Sequence, residues 1–342
     1  MKTQCALIAA SALLASGPPA LPQASEAATD PGEYSEIAPL ATKSLLLDAG
    51  LAGTRMVVVG QRGQVLLSDD QGATWRQAKV PTRALLTAVY FHDARLGWAV
   101  GHDETILRSE DGGETWTRTH VAPDKEQPLL DVWFKDAESG FAFGAYGTIL
   151  ASTDGGRSWA LQPFDPRRLV ARPQGTASKA DDEYVDGDLA SDSHLNAVAR
   201  AGDGKLYLAA EAGHLFRSDD DGATWLELPS PYEGSFFGVL PLDGAAVLAF
   251  GLRGHLFRSA DAGATWTAVK TSTVAMLTNG LRLDERTVVI TGLAGTLLVS
   301  RDGASTFELR QQEDRKGMSA ALPAGNGRLL VVGEGGIKVI EP

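Results

Sequence analysis

Four side chains in this 342-residue sequence belong to types that together can cut a glycosidic bond beside a carboxylate: Arg62, Arg253, Tyr146 and Glu211. An arginine grips a carboxylate through two parallel N–H donors, and a tyrosine activated by a glutamate can attack an anomeric carbon. A hydrolase of carboxylated sugars needs three such arginines from separate parts of the chain and an aspartic acid as acid/base. Its Arg-Ile-Pro segment is missing, since the matching region reads Glu36-Ile-Ala-Pro39. An extracytoplasmic glycoside hydrolase is therefore the alternative and not the first reading. Metal chemistry has less to build on. Ser218-Asp-Asp-Asp-Gly222 has the acidity of a calcium loop but lacks the twelve-residue loop closed by a glutamate. His214 and His255 stand 41 residues apart in matching Gly-His-Leu-Phe-Arg-Ser segments, as repeat positions would. No catalytic residue, metal or cofactor is expected.

That 41-residue spacing runs through the chain. Ser68-Asp-Asp-Gln-Gly-Ala-Thr-Trp75 recurs at 109–116, 152–159, 218–225 and 259–266, and in degraded form at 300–307, where Phe307 replaces tryptophan. The intervals are 41, 43, 66, 41 and 41, so one of them carries about 25 extra residues. Each copy follows an apolar run such as Thr105-Ile-Leu-Arg-Ser109 and marks a hairpin. Its aspartate accepts backbone N–H groups, its glycine supplies a positive φ, and its tryptophan is expected between neighbouring sheets. Two further strand signals precede each box, as in 85–91 and 97–101. Four short strands per unit, repeated radially, make propeller blades. The fold expected is an all-β, seven-bladed β-propeller with blades near 44–80, 85–121, 129–164, 194–228, 235–269, 276–310 and 317–341. The seventh unit lacks a box and ends at the C-terminus, so Tyr34 to Leu40 is expected to close the ring as the missing outer strand.

The six Ser-x-Asp-x-Gly-x-Thr-Trp boxes resemble the Asp-box, or bacterial neuraminidase, repeat, which occurs in enzymes and non-enzymes alike. The longer unit from Gly144 to Trp159, with Gly97-Trp-Ala-Val-Gly101, is similar to the photosystem II stability and assembly factor family, over about 36–341. That resemblance implies a non-catalytic propeller of a lumenal or periplasmic compartment that binds membrane-protein subunits during assembly. Relatives also occur in non-photosynthetic bacteria, some beside transport proteins, so an accessory role for a membrane transporter is a further alternative. Fold alone does not carry the partner across.

Partner-binding residues are sought where the repeats differ. The second-to-third strand turns carry Arg62, His102, Asp103, Tyr146, Glu211, Arg253 and Glu334, all expected on one face around the channel. The insertion at 165–193 is expected to form a flap on that face, with Arg167, Arg168 and Arg172 in its basic half. Residues 1–27 read as a cleavable leader ahead of a single domain, 28–342, placing the mature chain in the periplasm, a thylakoid lumen or the exterior. The only cysteine, Cys5, lies in that leader. Thirty-one basic against 43 acidic residues give a net charge of -12, which argues against nucleic acid. A monomer that binds a membrane or envelope protein is expected.

Overall fold

The computed structural model describes residues 33–168 and 192–342. Blade 1 is an antiparallel sheet of Leu46–Ala52, Arg55–Gly60, Val65–Ser68 and Arg76–Ala78, paired in chain order from the axis outward. The inner strands of blades 2 to 7 are Leu86–Phe91, Leu129–Phe134, Leu195–Arg200, Phe236–Pro241, Leu277–Arg282 and Met318–Pro323. Apart from one added edge strand in blade 4, seven sheets match the seven expected units to within two residues, and the all-β propeller stands.

Second strands such as Arg55–Gly60 read as continuous apolar runs because both of their faces are covered. Val57 and Val59 meet Leu86, Ala99 and Leu107 of blade 2, while Met56 and Val58 meet Ala320, Leu330 and Val332 of blade 7. The same alternation gives one apolar cluster per seam around the ring. Each box aromatic joins the seam with the preceding blade, as Trp116 does against blade 1 and Trp225 against blade 3.

The boxes form one repeated knot. In blade 2, Ser109 Oγ donates to Asp111 Oδ1 at 2.9 Å and accepts from Gly113 N at 2.9 Å. Thr115 N donates to Asp111 Oδ1 at 2.9 Å, and Thr115 Oγ1 donates to its Oδ2 at 2.6 Å. These bonds hold the box carboxylates ionised: the threonine hydroxyl above all lowers Asp70, Asp261 and Asp302 to about 2.

Ring closure departs from the expected strand. Blade 7 has three strands, Met318–Pro323, Leu329–Gly333 and Gly336–Ile340, and residues 34–38 form no strand. They turn instead to blade 1: Ser35 N donates to Val80 O at 2.9 Å, and Gln77 brackets Ala38 N and Glu36 O at 2.9 Å each. Blade 1 thus satisfies the polar backbone that the edge of blade 7 would otherwise pair. Pro39, which has no N–H to give a ladder, ends the segment. Ala38 and Ala41 still enter the cluster between blades 7 and 1, so the N-terminal segment seals the seam by packing.

The described start of the insertion also departs from expectation. Phe164 packs edge-on against Phe216, with ring centroids 5.0 Å apart, and Arg167–Arg168 pairs in parallel with Leu226–Glu227 as a fifth, outermost strand of blade 4. The unpaired edge of blade 4 and the Phe216 ring draw the chain outward, away from the channel. Arg172 and the rest of the proposed flap lie outside the described residues.

Two turn glycines, one in a box and one between the first two strands of blade 7, test this packing. At Gly156 φ is +78° and an added Cβ would lie 2.1 Å from Trp98 Nε1, within a buried stack of Trp98 on Phe134. At Gly327 φ is +72° with open space around it. Gly156→Ala should cost about 2–4 kcal/mol, the left-handed penalty plus overpacking, and Gly327→Ala about 1 kcal/mol. Equal losses in denaturant titrations of the two variants would contradict the packing described.

Candidate partner-binding face

Antiparallel pairing puts the box hairpins at one end of every sheet and the second-to-third turns at the other, together with the connections between blades. Arg62, Asp103, Tyr146, Ala212, Arg253 and Ala294 occupy the tip of this turn in blades 1 to 6, each left-handed with φ between 53° and 59°. A glycine normally follows the tip. Gly63 shows why: an added Cβ would lie 2.2 Å from Thr82 O in the connection to the next blade. Six differing side chains are therefore displayed on one repeated backbone.

Of the seven expected rim residues, Arg62, His102 and Arg253 are exposed, and none makes a side-chain hydrogen bond or ion pair among the described residues. Asp103 is half-buried, and Tyr146 is 60% exposed. Tyr146 stands edge-on to His194, with centroids 4.9 Å apart, and His194 Nδ1 lies 3.8 Å from Glu211 Oε2. The structure thus brings Tyr146 and Glu211 to one histidine, which the sequence reading did not single out. Arg62 and Arg253 belong to blades 1 and 5, and no hydrogen bond links the Tyr146 hydroxyl to Glu211 or to an arginine among the described residues. Glu211 and Glu334 are also engaged locally: their carboxylates accept from His194 N at 3.4 Å and Gly317 N at 2.9 Å, each bracing the incoming connection.

Glu104 follows the tip of blade 2 and is fully buried, with Oε1 2.8 Å from Lys125 Nζ and Oε2 3.0 Å from His120 Nε2. Its signal was legible in the sequence, because Glu104 occupies the place that Gly63, Gly147, Gly213, Gly254, Gly295 and Gly336 fill in the other units. The pair of ligating groups ties residues 120–125 to the turn.

Inner strands lock adjacent blades from the axial side. Val89 N donates to Asp48 Oδ2 at 2.8 Å and Val198 N to Asp131 Oδ2 at 2.8 Å. At three other seams neutral groups donate to the next blade: Thr87 to Leu129 O at 2.6 Å, Asn196 to Phe236 O at 2.8 Å and Thr278 to Met318 O at 2.6 Å. Asp48 and Asp131 are half-buried by accessibility yet enclosed by protein, and that enclosure, which removes bulk solvation, raises Asp48 to about 7 and Asp131 to about 6. Their backbone donors only partly offset it.

Comparison with known proteins places this geometry. The sequence profile described as "Photosynthesis system II assembly factor YCF48" matches residues 67–159 and 120–285, together more than half of the chain. The chain belongs to this family. Among solved structures it resembles YCF48 bound to a D1 peptide, at 16% identity and a TM-score of 0.66, over 90% of this chain and 96% of that one. It also resembles YCF48 from Cyanidioschyzon merolae, at 18% identity and a TM-score of 0.64, over 90% of this chain and 98% of that one. At such identities these likenesses carry the fold. A curated relative, "Photosystem II stability/assembly factor HCF136, chloroplastic" of the same alga, is 37% identical over 62 residues, 17% of this chain and only 14% of that protein. No helix among the described residues is long and apolar enough to cross a membrane.

The buried carboxyls set a pH dependence. A carboxyl whose folded pKa is raised binds a proton more tightly in the fold, so its contribution is full below about 4 and is lost as pH rises through about 6 and 7. The box aspartates act in the opposite sense, losing theirs as pH falls from about 4 toward 2. The melting temperature should therefore decline by a few degrees between pH 5 and pH 8. In the Asp48→Asn/Asp131→Asn variant, which keeps both acceptors, the decline should flatten. An unchanged slope in the variant would show that other groups govern it.

Proposed function

We propose that this protein is an exported, non-catalytic propeller that binds an exposed segment of a membrane or envelope protein and assists assembly of the complex containing it. The observation that carries this reading is the family membership, together with a rim on which one backbone presents Arg62, Tyr146 and Arg253 outward. Exposed arginine and tyrosine are the side chains that most often dominate protein recognition. A YCF48 structure with a D1 peptide supports a peptide segment as the form of the ligand. The leader expected at 1–27, outside the described residues, supports export. In this reading the mature protein acts as a monomer, and the box face, whose carboxylates are spent on their own turns, serves the scaffold.

Crosslinking of the mature protein in native membrane extracts tests it. One membrane protein should be recovered with wild type and at least about tenfold less with the Arg62→Ala/Tyr146→Ala/Arg253→Ala variant, whose melting temperature should match wild type. Equal recovery would refute the rim assignment. The non-catalytic part is tested separately: fluorogenic sialosides and other glycosides should show no turnover above buffer. Turnover that Tyr146→Phe abolishes would establish the hydrolase instead.

A further inference from the structure

Blade 1 shows how this rim holds a peptide, because the chain itself supplies one. The extended segment from Glu33 lies across the outer part of the face, where Arg83 pairs with Glu33 at 2.9 Å and Glu36 at 2.8 Å. Arg83 Nε donates to Tyr34 O at 3.1 Å, so the same guanidinium reads backbone as well as carboxylate. Beside them an open cleft of about 750 Å³ is lined by Glu36, Ala38, Arg62, Gln64 and Arg83.

Blade 6 repeats the cleft in register. Adding 232 residues carries Ser68 to Ser300, Gly63 to Gly295, Gln64 to Thr296 and Arg83 to Arg315. The cleft there is open to solvent and includes Val274, Thr296, Leu309, Gln311 and Arg315 in its lining. Its chemistry is unfinished in two respects. Arg315 is exposed and pairs with no carboxylate among the described residues. Val274 is 86% exposed at the mouth. The residues that match 33–38 by register, 265–270, are drawn into the outer edge of blade 5, where Val269 N donates to Leu256 O at 2.8 Å, and so do not reach Arg315 as Glu33 and Glu36 reach Arg83.

A free guanidinium beside apolar surface suits a carboxylate carried on a peptide. We propose that the blade 6 cleft binds an extended acidic peptide segment, with a Glu or Asp side chain on Arg315 and an apolar neighbour on Val274 and Leu309. The ligand is internal peptide and not a chain end, because blade 1 takes side-chain carboxylates from a chain that continues past them. This goes beyond the seven rim positions and rests on the preceding reading only in taking a peptide as the ligand.

The probe is the chain's own segment supplied in trans, acetyl-Glu-Tyr-Ser-Glu-Ile-Ala-amide, titrated into the mature protein by NMR. The Arg83→Gln variant serves as background, so that exchange at blade 1 does not contribute. Binding is expected in the high micromolar to millimolar range, with shifts at Thr296, Leu309 and Arg315. Arg315→Gln should weaken it about tenfold, as should replacing both glutamates of the probe with glutamine. Absence of binding, or binding unchanged by Arg315→Gln, overturns the proposal. So does a free-acid probe that binds much better than the amide yet ignores its glutamates. The Arg62→Ala/Tyr146→Ala/Arg253→Ala variant should bind the probe normally, so failure here and failure of membrane-protein capture remain separate results.

Discussion

The structure hangs on a serine hydroxyl that ties each box hairpin shut. Ser68, Ser109, Ser152, Ser218, Ser259 and Ser300 are all buried, and each donates to the box aspartate while accepting the backbone N–H four residues ahead. A hairpin this tight leaves amides that its ladder cannot satisfy, and a buried orphan amide costs about as much as the hydrogen bond it lacks. The serine and aspartate take up those amides from within the turn. The following aromatic is thereby delivered to the seam with the preceding blade, so a local polar knot becomes long-range apolar packing. In blades 1 to 3 the indole N–H closes back on a box glycine carbonyl, at 3.0, 2.8 and 3.2 Å.

Near the axis, the inner strands do the converse. There the backbone is already paired within its sheet, and side chains reach over to the neighbouring blade. The choice between a carboxyl acceptor at Asp48 and Asp131 and a neutral donor at Thr87, Asn196 and Thr278 decides whether a seam responds to pH. Both solutions satisfy a group on the next inner strand, so the architecture accepts either. Only the carboxyls pay for enclosure when they ionise, and Asp48 also feels the negative charge of Asp131.

What was legible in the sequence follows the same division. The boxes, the blade limits and the tryptophan positions could be read because each is set by residues within a few positions of one another. Ring closure could not: whether Tyr34 to Leu40 joins blade 7 or blade 1 depends on Gln77 and Val80, some 40 residues away, satisfying that backbone first. The insertion's course was hidden for the same reason, since the edge it joins, Leu226–Glu227, lies beyond the insertion itself. The rim positions were found as a set because they fill one place in the repeat. Their separate roles were not, because Glu211 and Glu334 brace connections through contacts 17 residues back.

The same comparison shows where further meaning sits in a repeat. A position alike in every unit is explained by the unit, and a position that differs at random is explained by tolerance of the surface. More informative is a departure that brings its own compensation. Glu104 enters a glycine position and arrives with Lys125 to neutralise it and His120 to hydrogen-bond it, which fixes it as structure. Arg315 recurs in the register of Arg83, and among the described residues it lacks the carboxylates that Arg83 holds. A departure compensated within the chain belongs to the scaffold, and one left uncompensated at the surface points to a ligand that completes it.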